Sequence, residues 1–135
     1  MKQAQNTFNL IGRLLVAALF LPAGLAKLTG FAGTVGYFAS LGIPAPTLAV
    51  VATIVVEILG GLALLVGYQT RLVAIVMALF TLAASVVGHA YWAAPADQAF
   101  VAQLLFFKNI AVAGGLLVLA AAGAGAFSID GKQES

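Results

Sequence analysis

Residues 47–67 read TLAVVATIVVEILGGLALLVG, an unbroken apolar run with a single charge, Glu57, at its centre. A bilayer core about 30 Å thick needs roughly 20 apolar residues of helix to cross it, and this run is that long. Its apolar residues are continuous rather than alternating, and a lone strand in lipid would leave its backbone groups unsatisfied, so the segment reads as a transmembrane helix. Gly60 and Gly61 follow Glu57 by one turn on the same face. Small residues there allow another helix to come close, so the carboxylate is expected to point into protein and away from lipid.

Working outward, Gly42-Ile43-Pro44-Ala45-Pro46 punctuates the chain before this span, with Pro46 suited to a first helical position. Gly67-Tyr68-Gln69-Thr70 forms a tight turn after it, with Thr70 the expected N-cap of a second span at 71–92. Two further windows, 8–28 and 101–123, have the same character. The whole chain of 135 residues is 63% hydrophobic and 7% charged, against about a quarter charged in soluble domains. Its mean hydropathy is +1.12. The expected architecture is all-α, a four-helix membrane bundle occupying 1–124 as one domain, with 125–135 a short polar tail. The absence of cysteine excludes disulfides, thiolate metal sites and dithiol chemistry by the chain itself. A net charge of +2 with no basic run gives no reason to expect a nucleic-acid partner; the lipid bilayer is the partner the composition implies.

The first span has a rival reading as a signal peptide, with Lys2 and Arg13 as the basic region and Ala23-Gly24-Leu25-Ala26 as the cleavage region. Against it, Pro22 interrupts the apolar stretch and Lys27 would directly follow the cut, so retention is predicted. With four spans the termini share a side, and that side collects Lys2, Arg71 and Lys132. The positive-inside rule makes it cytoplasmic. Between the first two spans, Phe31, Val35, Phe38 and Leu41 recur at helical spacing over a stretch too short to cross, which predicts a short interfacial helix or lid over 28–45.

The polar residues inside the spans carry the functional question, because charge near mid-membrane costs about 2.5–3.5 kcal/mol and marks working sites. Arg13 and Lys27 fall on one stripe with Ala17, Phe20 and Gly24. Thr81, Ser85 and His89 repeat every fourth residue, and Lys108 and Asn109 lie in the outer half of the last span. Counted along helices at about 1.5 Å per residue, Lys27, His89 and Lys108 reach similar heights, so a pocket lined by Lys27, Glu57, His89, Lys108 and Asn109 is expected, covered by 28–45. Arg13, Lys27 and Lys108 outnumber Glu57, whose partner is expected to be Lys108 or Arg13. Asp97, water or an anionic or carbonyl-bearing ligand would balance the excess. Plainer readings stand beside these: Arg13 and Lys27 as interfacial anchors, a Glu57 ion pair that only fixes helix register, His89 as an interfacial hydrogen-bonding residue, and Gly60-Gly61 and Gly114-Gly115 as packing devices. No metal cluster, nucleophilic triad or phosphate loop is present, and a lone histidine makes no metal site.

At these residues the chain resembles the DoxX family of small bacterial four-helix membrane proteins. The resemblance rests on Gly12-Arg13, Phe20, Ala23 to Lys27, Leu41-Gly42-Ile43-Pro44, Glu57 to Gly61, Gly67 to Arg71, His89, and Lys108-Asn109 with Gly114-Gly115. It implies a protein of the bacterial cytoplasmic (inner) membrane. It also implies a membrane subunit or accessory of a quinone-linked oxidoreductase, or of a system handling sulfur or oxidative stress, with quinone as cofactor and a partner subunit or second copy beside it. Any enzyme activity would then belong to an oxidoreductase complex rather than to this chain alone. The alternative is a non-enzymatic scaffold that binds a partner through its surfaces.

Overall fold

The computed structural model describes residues 2–134. Four helices long and apolar enough to cross a membrane follow in order: α1 (Lys2–Thr29), α3 (Pro46–Val66), α4 (Thr70–Gly88) and α5 (Ala99–Ala122). A short helix, α2 (Phe31–Ser40), lies between the first two, a 3-10 turn covers Tyr91–Ala93, and a final turn of helix, α6 (Ile129–Glu134), closes the chain. No strand occurs among the described residues. The spans and the interfacial helix stand where the apolar runs place them. Exposed Leu15, Leu48, Leu59, Leu72, Leu79 and Val118 form the lipid-facing surface, which is the solvent an apolar exterior requires.

The bundle is two pairs. α1 packs along α3 and α4 along α5, while the contact between α3 and α4, the spans joined by the shortest turn, is lighter. The α1–α3 pair closes on glycine: a Cβ at Gly24 would sit 2.6 Å from the Ile58 side chain, and one at Gly61 would sit 2.9 Å from that of Leu21. Gly60 gives Met77 of α4 the same clearance, 2.7 Å. By contrast, Gly114 and Gly115 meet nothing within 4 Å. As a packing device this pair therefore has no neighbour within the chain, and it lies on an outward face of α5.

The two pairs meet tightly only near the end that carries the termini. There Phe20, Leu64, Ala74, Met77, Ala78, Ala113 and Leu116 form the core, and the chain ends are stitched across it. Arg13 is completely buried and donates to Leu64 O (2.9 Å), Leu65 O (3.2 Å) and Phe127 O (2.5 Å), with Asn9 Oδ1 accepting from its Nε at 3.1 Å. It does not snorkel. It caps the C-terminus of α3, where orphan carbonyls and the negative end of the dipole favour a cation. Arg71 does the same for α5, donating to Ala120 O and Ala121 O. The segment after Gly123 folds back over the bundle end: Asn9 donates to Gly123 O, Ala126 N–H donates to Asn6 Oδ1, and the Asp130 carboxylate accepts from Gln69 N–H and Thr70 N–H, both at 2.8 Å. Thr70 is thus the first residue of α4 and not its N-cap; the capping oxygen comes from Asp130, sixty residues later. Gly67, at φ 72, occupies the left-handed position that ends α3, and any Cβ there would collide with Ser128 at 2.2 Å.

Burial alone would raise the Asp130 carboxyl. The N–H groups of Thr70 and Gln69 and the nearby Arg13 charge outweigh it and hold the group below its ordinary value of 3.8.

Candidate functional site

Toward the other end the two helix pairs part, and a cavity of about 940 Å³ opens between them. Its walls are largely small or apolar: Leu19, Phe20 and Ala23 from α1, Phe38 from α2, and Phe80 and Ala84 from α4. Lys27, Glu57, His89, Lys108 and Asn109 all line this cavity. Thr81 also faces it, but its hydroxyl donates to Met77 O at 2.7 Å and that of Ser85 to Thr81 O at 2.9 Å. These hydroxyls serve their own helix, and the expected polar line contributes only His89 at its outer end.

Glu57 pairs with Lys27, not with Lys108 or Arg13. Lys27 Nζ lies 2.8 Å from Glu57 Oε1, and the side chains are 28% and 8% exposed. Helix direction explains the choice. Side chains tilt toward the N-terminus of their helix. On α1, which rises from the terminal end, Lys27 therefore reaches back toward it, whereas on the antiparallel α3 Glu57 reaches the other way. The two converge across an axial offset of only about 4.5 Å, because Gly24, three residues before Lys27, stands level with Glu57. Arg13 tilts away from Glu57 into the terminal end, and Lys108 on α5 tilts outward. Gly24, one turn before Lys27, brings the backbones close at this point; a Cβ there would stand 3.1 Å from Glu57 Cβ.

With Lys27 and Glu57 neutralising one another, Lys108 remains. Among the described residues its side chain, like those of His89 and Asn109, makes no hydrogen bond or ion pair that links it to the protein, and His89 lies near enough to Lys108 and Lys27 to feel both charges. Asp97, expected as a balancing charge, is exposed and lies outside the cavity wall. The arrangement offers a positive potential, an imidazole and an amide beside apolar walls. It can hold an oxygen-bearing acceptor group and could pass a proton through His89 or Glu57. No group of three or more metal-ligating side chains occurs among the described residues.

Two features of the site carried weaker signals in the sequence. α2 covers the cavity through Thr34, Tyr37 and Phe38, and Tyr37 OH reaches Gly88 O at 3.4 Å, a long contact that ties the lid to the far helix pair. Tyr37 falls outside the apolar repeat that marked the lid. Around the start of α5, Tyr91, Trp92, Phe106 and Phe107 cluster with centroids 5.2–5.9 Å apart, edge to face except for the tilted Tyr91–Phe107 pair. Phe106-Phe107, directly before Lys108, was the available signal for that cluster.

A helical, multi-pass membrane protein with a polar-edged chamber in one half is the class these features define. Residues 8–90 match the DoxX family, and the chain belongs to that family. It is 40% identical to the inner membrane protein YphA of Escherichia coli over 94% of this chain and 91% of that one. It is 41% identical to the inner membrane protein YqjF of the same organism over 96% and 95%. It is also 35% identical to the "Putative oxidoreductase CatD" of Bacillus subtilis over 53% of this chain and 52% of that one. No solved structure matches it. The four spans and these relatives define a multi-pass inner membrane protein.

Proposed function

We propose that this chain is the membrane component of an oxidoreductase system, holding the head of a quinone or a small sulfur anion in the outer chamber while a partner subunit handles the electrons. The observation that carries this reading is Lys108, an unpaired cation grouped with His89 and Asn109 on the wall of a roomy apolar cavity. The oxidoreductase name attached to CatD supports the same direction. A bound quinone would supply electron and proton acceptance. This chain's own residues would do the rest: Lys108 and Asn109 orient an acceptor oxygen, the Lys27–Glu57 pair fixes the wall, and His89 or Glu57 relays a proton. Both termini are cytoplasmic in this reading, because Lys2, Arg71 and Lys132 share the terminal end; reporter fusions after Ser135 and within 93–100 should report opposite sides.

Purification in native lipid followed by mass spectrometry of extracted small molecules tests the proposal. Quinone or a sulfur anion should accompany the wild type and be lost when Lys108→Met and His89→Ala are combined; equal recovery from both proteins would refute it. A scaffold reading rests on one specific feature, the open Gly114-Gly115 face of α5 with Leu117 and Val118 exposed beside it. Small residues of this kind admit a close helix from a second copy or a partner. Gly115→Leu should then break a co-purifying assembly without emptying the chamber.

A further inference from the structure

Not every part of the cavity wall is buried. Ala26 on α1 and Ala83 and Val87 on α4 line it and are exposed, and all three lie inside membrane-spanning helices. An exposed residue at that depth faces hydrocarbon, not water. The lips that these residues form are small and apolar; Lys27 and Glu57 are set back from them against the α1–α3 interface, while Lys108 is exposed on α5 beside the same cavity. The gap exists because α1 with α3, and α4 with α5, are the tightly packed pairs and the seam between them is light. A soluble anion would have to leave water to reach Lys108, which stands inside the α5 span. A molecule already dissolved in the bilayer would not.

We infer that the chamber is loaded sideways from the membrane, through the opening between α1 and α4, by a lipophilic molecule that carries an anionic or carbonyl head. Its apolar body lies between the lips, and its head is received by Lys108, His89 and Asn109. This rests on the functional reading above and narrows it: the ligand has a membrane-soluble tail, and free sulfur anions are not taken. The length of the cavity suits such a molecule, since its lining runs from Leu19 near mid-span to Pro44 at the outer edge. On the outer side Tyr37 reaches across to Gly88 O, while the exposed lips within the spans give a molecule dissolved in the membrane its own way in.

Binding kinetics in lipid nanodiscs test this with four probes: a long-chain alkyl benzoquinone, the same ring without the chain, a long-chain fatty acid, and thiosulfate. The quinone and the fatty acid separate a carbonyl head from a carboxylate one. The expected result is that at least one tailed probe binds, the chainless ring and thiosulfate do not, and Lys108→Met removes binding. Narrowing a lip with Ala83→Phe or Ala26→Phe should slow association of the tailed probe by about tenfold, within the range over which variants of one site differ in on-rate. Leu59→Phe, on the lipid face of α3 and outside the cavity lining, should leave it unchanged. A spin label on Ala83→Cys, in a chain otherwise free of cysteine, should be relaxed by oxygen dissolved in lipid and not by an aqueous nickel complex. Unchanged association in the lip variants, or a label open to nickel, overturns lateral loading even where Lys108→Met still abolishes binding, and the functional reading then survives. Thiosulfate binding as tightly as the tailed probes overturns the ligand class. Binding of every probe indifferent to Lys108 overturns the functional reading and this inference with it.

Discussion

The two ends of this bundle are made from the same four helices and are built on opposite plans. At the terminal end, three charges have backbone partners: Arg13 caps α3, Arg71 caps α5, and Asp130 caps α4. At the other end the charges meet each other or nothing, with Lys27 against Glu57 and Lys108 left over. The difference teaches what charge in a membrane is for. Where it satisfies helix ends it substitutes for water and holds the fold; where it lines a cavity it is held in readiness for something that is not protein. The Phe20–Leu116 core belongs to the first half, so the second can remain hollow without loss of the fold.

Replacing Arg13 by Met is the most damaging way to probe that contrast. Three carbonyls lose charge-assisted donors worth about 1.5–3 kcal/mol each, and with non-additivity the expected loss is about 4 kcal/mol. Little monodisperse protein should survive in detergent; a variant melting within a few degrees of wild type would show that the terminal end is not the stabilising half.

Next come Lys27 and Glu57. Lys27→Met and Glu57→Gln should each cost about 3 kcal/mol or somewhat less, because Lys27 is partly exposed, and the double variant should cost less than their sum, since each single change strands a charge. Strict additivity in thermal melts would mean that the pair is not coupled.

Asp130→Asn should cost about 1 kcal/mol, as loss of a helix cap does. The folded-state carboxyl titrates below its ordinary 3.8, so its contribution is complete above that pH and is lost as pH falls through the lower, folded value. Wild-type melting temperature should therefore drop on acidification below about pH 4, and Asp130→Asn should lack that component. Identical acid profiles would detach the tail from the bundle's stability.

The four spans, the lid and the gathering of Lys27, Glu57, His89, Lys108 and Asn109 on one side were legible because hydropathy sets length and helix rise sets height. The Glu57 partner was not, because heights treat residues as points on an axis, whereas side chains lean toward the N-terminus and antiparallel neighbours lean toward each other. Nor was the folded-back tail legible. Gly123 to Ser135 reads as polar and glycine-rich, and its order comes from backbone groups at helix ends that no side-chain pattern displays. Gly60-Gly61 and Gly114-Gly115 look alike in sequence and differ only in whether a neighbour is present.

The smallest stability effect is expected at Lys108. Lys108→Met should change stability by no more than about 0.5 kcal/mol, as for an exposed residue without partners, while removing whatever ligand the chamber holds. A large loss of stability there would give Lys108 a structural duty and blur the division between the halves.

Arg13 also sets an order of events during synthesis. Its acceptors on α3 lie 51 and 52 residues ahead and its acceptor at Phe127 lies 114 residues ahead, so the first helix enters the bilayer carrying a guanidinium whose permanent partners have not yet been translated. A nascent chain that stops short of Phe127 keeps that charge incompletely housed and the turn at Gly67 uncovered. The Phe127 contact is thus the last of the three that can form, and it closes the terminal end only after every spanning helix has been made.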